Sequence, residues 1–331
     1  MTPPNRNRTL SREAEPHHVA VNRPDEFGKV AVLFGGNSAE RAISLLSGLA
    51  VLEALQSAGV DAHGIDTGQN MLGQLTQGGY DRAFIVLHGR GGEDGAVQGV
   101  LETLGIAYTG TGILGSALGM DKARAKYLWQ AAGIPTPPFR VVESEAALRT
   151  AAGELGFPLC VKPIHEGSSI GASKVTDPEM LGEAWHSAAR HDALSLAEKW
   201  IEGAEYTATI LGGTVLPLIR LETARTFYDF DAKYRDGAET QYLCPCGLDA
   251  GREKSIADTA FRAFELLDGR GWGRVDLLCD ASDNPWFIEV NTVPGMTDHS
   301  LVPMAARAVG MEFQQLVWRI LETSLAPLAK S

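Results

Sequence analysis

Gly273-Arg274-Val275-Asp276-Leu277-Leu278 and Trp286-Phe287-Ile288-Glu289-Val290-Asn291, separated by the short turn 280–285, decide how this chain folds. Both runs mix apolar and polar residues at the alternation of strands. Side chains two apart on a strand share a face, so Arg274 and Asp276 point together, as do Glu289 and Asn291. Pairing the runs across the turn converges two carboxylates, an amide and a guanidinium on one patch. Hard oxygen donors in that number suit Mg2+ carried in on a nucleoside triphosphate rather than zinc. The first expectation is therefore a phosphoryl-transfer site. Taken singly, each of these residues also reads as the exposed side of a sheet. Their convergence, with the irregular loop 292–297 behind them, favours the metal.

Composition narrows the classes. A chain of 331 residues with 44% hydrophobic content is too long for one ordinary core and predicts two or three packed domains. A net charge of −12 with dispersed basic residues leaves no electrostatic footprint for nucleic acid. No apolar run approaches the ~18 residues of a membrane span. Residues 1–28 are rich in Pro, Asn and Arg without the apolar core of a secretion signal, and are expected to be a disordered extension. Cys160, Cys244, Cys246 and Cys279 include no C-x-x-C pair, which predicts reduced thiols in the cytoplasm. Small ligands are the expected partners.

Lys29-Val30-Ala31-Val32-Leu33-Phe34 ends in Gly35-Gly36 and reads as a buried parallel strand. A helix follows, with Asn37 as its cap, Glu40 closing a capping box, and Ile43, Leu46, Ala50 and Leu55 as an apolar stripe. A second strand at 83–87 runs into the glycine-rich loop 88–95. This alternation predicts a parallel α/β sheet with ligands at the strand C-termini. A helix from about Met120 ends at the proline-rich stretch 133–138. Beyond it, strands are expected at 157–162, 194–201, 205–211 and 215–218, and helices near 255–267 and 311–325. The predicted units are 29–120, 121–211 and 212–331, an α/β chain turning α+β in its second half.

Lys162 closes an apolar strand, a costly place for an unpaired cation, and a polyphosphate partner accounts for it. Lys122 reads equally as a solvated lysine. Loop 165–171, with Gly167, Ser168, Ser169 and Gly171, is either a phosphate clamp or a flexible hairpin tip. Glu198-Lys199-Trp200-Ile201 offers a strand edge to an adenine ring and Glu205 a carboxylate to ribose hydroxyls, or the run is an ordinary amphipathic strand. Physics alone favours Glu40 as a cap, and His88 reads equally as a loop histidine satisfied by backbone. The stretch 226–246, with Tyr228, Tyr234 and Tyr242, is a lid or a solvent-exposed crossover.

Taken in order, 32–41 (VLFGGNSAER), 87–95 (LHGRGGEDG), Met120-Asp121-Lys122, Glu166-Gly167-Ser168-Ser169, Ala232-Lys233-Tyr234, 271–276 (GWGRVD) and 289–297 (EVNTVPGMT) resemble the motifs of the D-alanine:D-alanine ligases. These are ATP-grasp enzymes of peptidoglycan precursor synthesis, and the resemblance spans about 29–325. It implies a three-domain ATP-grasp architecture that joins two D-alanine molecules through an acyl phosphate, with ATP, two Mg2+ or Mn2+ ions, and a homodimer. Lys122, Lys162 and Ser169 then match phosphate-binding positions; Glu198, Lys199, Ile201, Glu205 and Lys233 match nucleotide-binding ones. Asp276, Glu289 and Asn291 match the metal ligands. Glu40 and His88 match the site of the first D-alanine, while Arg274, Gly295, Ser300 and Leu301 surround the second. Ser168 and Tyr234 match the residues that, with Glu40, lock a lid. Tyr234 favours D-alanine over D-lactate as acceptor, because related D-alanine:D-lactate ligases lack it. His165 departs from the longer basic residue common in relatives. A D-alanine:D-lactate ligase, another ATP-grasp carboxylate–amine ligase, and a nucleotide-binding protein without catalysis are the competing readings.

Overall fold

The computed structural model describes residues 20–223 and 240–325. It contains three sheets. The first is β1 (Val30–Phe34), β2 (Ala62–Asp66), β3 (Arg82–Ile85) and β4 (Ala107–Tyr108), in the order β2-β1-β3-β4. All its pairings are parallel. Every residue of β1 is buried, as a strand flanked on both sides and covered on both faces requires. Helices α1 (Arg41–Ser57), α2 (Met71–Gly78) and α3 (Ala96–Leu104) make the crossovers. The α/β expectation with a parallel first sheet is met.

Helix α1 departs from its expected face and cap. Its buried positions are Ile43, Ser44, Ser47, Gly48, Val51 and Leu55, whereas Leu46 is 58% exposed. No side chain caps its N-terminus. Gly48 lets the helix lie against Phe34 of β1, which turns the helix relative to a stripe counted from apolar residues alone.

Helices α4 (Ile113–Met120) and α5 (Lys122–Ala131) lead to the second sheet. Asp121 caps α5 by accepting from the Arg124 N–H at 2.8 Å. The second sheet is β5 (Phe139–Val142), β6 (Leu159–Pro163), β7 (Ser173–Val175) and β8 (Ser195–Lys199), ordered β5-β8-β6-β7 and antiparallel throughout. Helices α6 (Glu145–Leu155) and α7 (Leu181–Ala189) cover it through Leu148, Ala152, Leu181 and Ala184.

The third sheet holds β9 (Gly203–Leu211), β10 (Thr214–Val215), β11 (Ile219–Glu222), β12 (Gln241–Leu243), β13 (Trp272–Asp280) and β14 (Pro285–Asn291). Its main path is β12-β11-β9-β13-β14, with β10 on β9. Helix α8 (Ala250–Leu266) backs it, with Phe264, Trp129 of α5 and Phe287 of β14 in one core. The change of sheet falls between Lys199 and Gly203, ahead of the boundary expected at 211. The run 205–211 pairs along its whole length with β13, and that ladder outweighs its closeness in sequence to β8.

Helices α9 (Leu301–Ala308) and α10 (Phe313–Glu322) return to the first sheet, where Leu301, Val302, Ile320 and Leu321 join its core. Residues 20–28, expected within a disordered extension, pack there as well. The Val21 N–H donates to Glu322 Oε1 at 2.9 Å, and the fully buried Phe27 meets Trp318 edge-on at 4.8 Å between ring centres. Two apolar anchors in a polar, proline-rich stretch are enough to order it. All four cysteines are free thiols. Among the described residues, no helix is long and apolar enough to cross a membrane.

Candidate functional site

Strands β13 and β14 pair in the register that the alternation predicts, with Arg274 opposite Asn291 and Asp276 opposite Glu289. Directly opposed residues share a face, so all four side chains emerge together. Arg274 grips Asp276 with two bonds, Nε to Oδ1 at 2.8 Å and Nη2 to Oδ2 at 2.7 Å. Thr207 of β9 donates to the same Oδ1 at 2.7 Å. Glu289 Oε2 lies 3.2 Å from Lys122 Nζ. Asn291 Oδ1 is buried without a hydrogen-bond partner.

Among the described residues, no group of three or more His, Cys, Asp or Glu side chains is arranged to hold a metal unaided. The oxygen donors here are two carboxylates and the orphaned amide oxygen, and basic side chains partly neutralise the acids. Mg2+ takes one or two carboxylates and completes its shell with phosphate oxygens and water. The donor set therefore fits an ion that arrives with a nucleotide.

Two cavities adjoin here. The larger, of about 500 Å3, lies between the second and third sheets and is lined by Lys162, Ser169, Lys199, Ile201, Glu205 and Asp276, among others. The smaller, of about 50 Å3, is lined by Glu40, His88, Ser168, Arg274, Asn291 and Gly295, among others. Lys122 and Glu289 line both.

The loop after β6 connects them. Lys122 Nζ donates to the Glu166 carbonyl at 2.7 Å, fixing the loop's start. Ser168 Oγ donates to Glu40 Oε1 at 2.6 Å. The Glu40 side chain thus meets this loop and closes no capping box. A Cβ on Gly167 would stand 3.1 Å from Glu40 Oε2, so a larger residue there would press on the Glu40 carboxylate. Ser168 and Ser169 both adopt left-handed backbone, at φ 51° and 57°, an uncommon pair for residues with a Cβ.

His88 is buried, with Nδ1 donating to the Val293 carbonyl at 2.7 Å and Nε2 3.3 Å from Ser47 Oγ. Burial pushes its pKa below the ordinary histidine value, and Arg274 acts the same way against the opposing charge of Glu40. Glu93, which the sequence reading did not single out, also lines the smaller cavity. It accepts from the N–H groups of Gly89 at 2.8 Å and Val293 at 3.1 Å. Burial, with Glu40 adding to it, raises its pKa to about 8. Its position in the 88–95 loop beside His88 was the available signal.

Glu198 lines the larger cavity, but its carboxylate is nearly enclosed, with Oε1 2.5 Å from Lys162 Nζ and Oε2 2.9 Å from Lys126 Nζ. Its place is beneath the lysine, not at a free strand edge. Ser300 and Leu301 do not line the smaller cavity. Ser300 Oγ accepts from the Thr297 N–H at 2.9 Å, and Leu301 packs into the first sheet's core. Lys233 and Tyr234, with Tyr228, lie outside the described residues.

The chain matches the family models described as "D-ala D-ala ligase N-terminus" over 66–111 and "D-ala D-ala ligase C-terminus" over 128–322. It is 61% identical over 302 residues to the D-alanine–D-alanine ligase of Stutzerimonas stutzeri, covering 91% of this chain and 96% of that one. The crystal structure of D-alanine–D-alanine ligase from Bacillus anthracis superposes with a TM-score of 0.81 at 34% identity, over 90% of this chain and 97% of that chain. The VanG D-Ala:D-Ser ligase from Enterococcus faecalis gives a TM-score of 0.77 at 31% identity, over 89% and 99%. This chain belongs to the D-alanine–D-alanine ligase family, with the ATP-grasp fold of its structural neighbours.

Proposed function

We propose that the chain joins two D-alanine molecules into D-alanyl-D-alanine for peptidoglycan synthesis, using ATP and releasing ADP and phosphate. The observation that carries this reading is the junction of two cavities at Lys122 and Glu289, one of nucleotide size and one small and polar. ATP takes the larger, its phosphates toward Lys122, Lys162 and Ser169 and its adenosine toward Lys199, Ile201 and Glu205. Asp276, Glu289 and Asn291 hold Mg2+ or Mn2+, which when bound offsets charge on the phosphate oxygens.

The first D-alanine lies in the smaller cavity with its ammonium toward Glu40 and its carboxylate toward the γ-phosphorus. That carboxylate is already ionised, so the protein has to orient it rather than activate it. One of its oxygens bonds to phosphorus as the bond to ADP breaks, giving an acyl phosphate. The amine of the second D-alanine, deprotonated, then attacks the acyl carbon, and phosphate leaves with the original carboxylate oxygen. Arg274 and the Gly295 N–H stabilise the tetrahedral oxyanion. His88, buried and held on Val293, keeps a neutral ring beside Glu40. Ser168 ties the loop over the first substrate, shielding the acyl phosphate from water.

On this reading the chain works in the cytoplasm as a homodimer. Three domains carry it, with the second giving way to the third at 200–202. D-Alanine labelled with heavy oxygen in its carboxylate tests the chemistry directly. One labelled oxygen is expected in each released phosphate; unlabelled phosphate, with dipeptide still formed, overturns the acyl phosphate.

A further inference from the structure

We propose that Lys126 is a positioning residue for nucleotide turnover, a buried counter-ion that occupies Glu198 and so leaves the charge of Lys162 available to phosphate. The inference rests on the reading above that Lys162 meets the nucleotide's phosphates.

Lys126 is fully buried on α5, one turn after Lys122 and on the same helix face. Lysine is rarely enclosed unless it is paired. Its Nζ donates to Thr136 Oγ1 at 2.7 Å and stands 2.9 Å from Glu198 Oε2. Thr136 Oγ1 in turn donates to the Phe287 carbonyl at 2.8 Å, two residues before Glu289 on β14. The second oxygen of Glu198 meets Lys162 Nζ at 2.5 Å. The carboxylate reaches Lys162 because Cys160, not Lys162, is its partner in the β6–β8 ladder, which sets the two side chains diagonally on one face.

Two ammonium groups share one carboxylate, leaving one net positive charge. Without Lys126, Glu198 and Lys162 would form a neutral pair in a poorly solvated place, where a close ion pair is strong. The charge of Lys162 would then be cancelled within that pair, leaving no net positive charge toward an anion. Lys162 lines the larger cavity and Lys126 does not, so Lys126 acts through its neighbours. Burial lowers the Lys126 pKa to about 8, with Glu198 opposing that fall. Burial alone would raise the Glu198 pKa, and the two lysines outweigh it and hold the carboxylate ionised.

The test is the KM for ATP in full-length Lys126→Met, Glu198→Gln and the double variant, with D-alanine saturating and phosphate release as the readout. Lys126→Met is expected to raise the KM for ATP by about tenfold, the scale of losing one partner of a buried charge network, with kcat changed less. In the Glu198→Gln background the same substitution should change KM by less than about twofold, because no carboxylate remains to capture Lys162. Lys126→Arg, which keeps the charge, should stay within about threefold of wild type. Equal effects of Lys126→Met in both backgrounds, or none in the native one, overturn the proposal and assign Lys126 to the fold alone. Should Lys126→Met not fold, Lys126→Gln, neutral but still a donor to Thr136, carries the same comparison. Lys162→Met separates the two layers. An unchanged KM for ATP in that variant removes the phosphate reading itself, whereas a raised KM there with additive Lys126 effects removes only the role of Lys126.

Discussion

Ser168 and Glu40, 128 residues apart in sequence, meet at 2.6 Å, the Ser168 hydroxyl donating to Glu40 Oε1. The contact joins the loop after β6 to the start of α1, and so the nucleotide side to the first sheet. A hydrogen bond to a charged group contributes about 1.5–3 kcal/mol. Ser168→Ala should therefore lower kcat/KM for D-alanine by about ten- to a hundredfold while leaving the unfolding midpoint in urea close to wild type. Unchanged kcat/KM would remove Ser168 from the site.

Glu289 faces Asp276 across the β13–β14 ladder and lines both cavities. Glu289→Gln keeps the shape and removes one negative donor. Turnover is expected to fall by at least about a hundredfold, with a native circular dichroism spectrum and a higher Mg2+ requirement in any residual activity. Wild-type turnover and Mg2+ dependence in this variant would withdraw the metal assignment. Asp276→Asn is the less clean test, because it leaves Arg274 buried and short of its counter-charge.

Glu93 gives a pH signature. Its pKa rises from 4.5 to about 8 on folding, so between those values the folded state binds more proton than the unfolded chain. A stability contribution present at low pH is then lost as pH rises through that window, with a slope of up to about 1.4 kcal/mol per pH unit. Glu93→Gln lacks the titration. Urea unfolding should show wild type losing stability relative to Glu93→Gln between about pH 4.5 and about pH 8. Parallel pH profiles for the two proteins contradict the assignment.

Gly203 opens β9 opposite Asp280, where a Cβ would overlap the Cys279 carbonyl. No rotamer change relieves a clash with backbone. Gly203→Ala is expected to cost about 3 kcal/mol in urea unfolding and to weaken ATP binding, since Gly203 also lines the larger cavity. Wild-type stability would mean that the two strands can separate there.

Much of the site was legible where side-chain direction follows from local geometry. The period of two placed Arg274, Asp276, Glu289 and Asn291 on one face, and the register across a short turn followed. Residues whose direction depends on tertiary packing were not legible. Lys126 stands in a helix rich in charged residues, where nothing in the sequence singles it out, yet it is enclosed by Thr136 and Glu198. Glu93 sits in a glycine-rich loop, whose backbone has no period to aim it. Glu198 alternates properly as a strand residue, but its partners come from α5 and β6. The capping box at Asn37 and Glu40 failed for a related reason, since Ser168 offers Glu40 a partner that no local pattern reveals.

The measurement that bears most directly on the central claim is product identification by mass, with ATP and Mg2+, for D-alanine alone, D-alanine with D-lactate, and L-alanine. D-Alanyl-D-alanine, formed one for one with phosphate from D-alanine alone and not displaced by D-lactate, is the predicted result. Phosphate and product appearing only when D-lactate is present, or no turnover with D-alanine in any mixture, would contradict it.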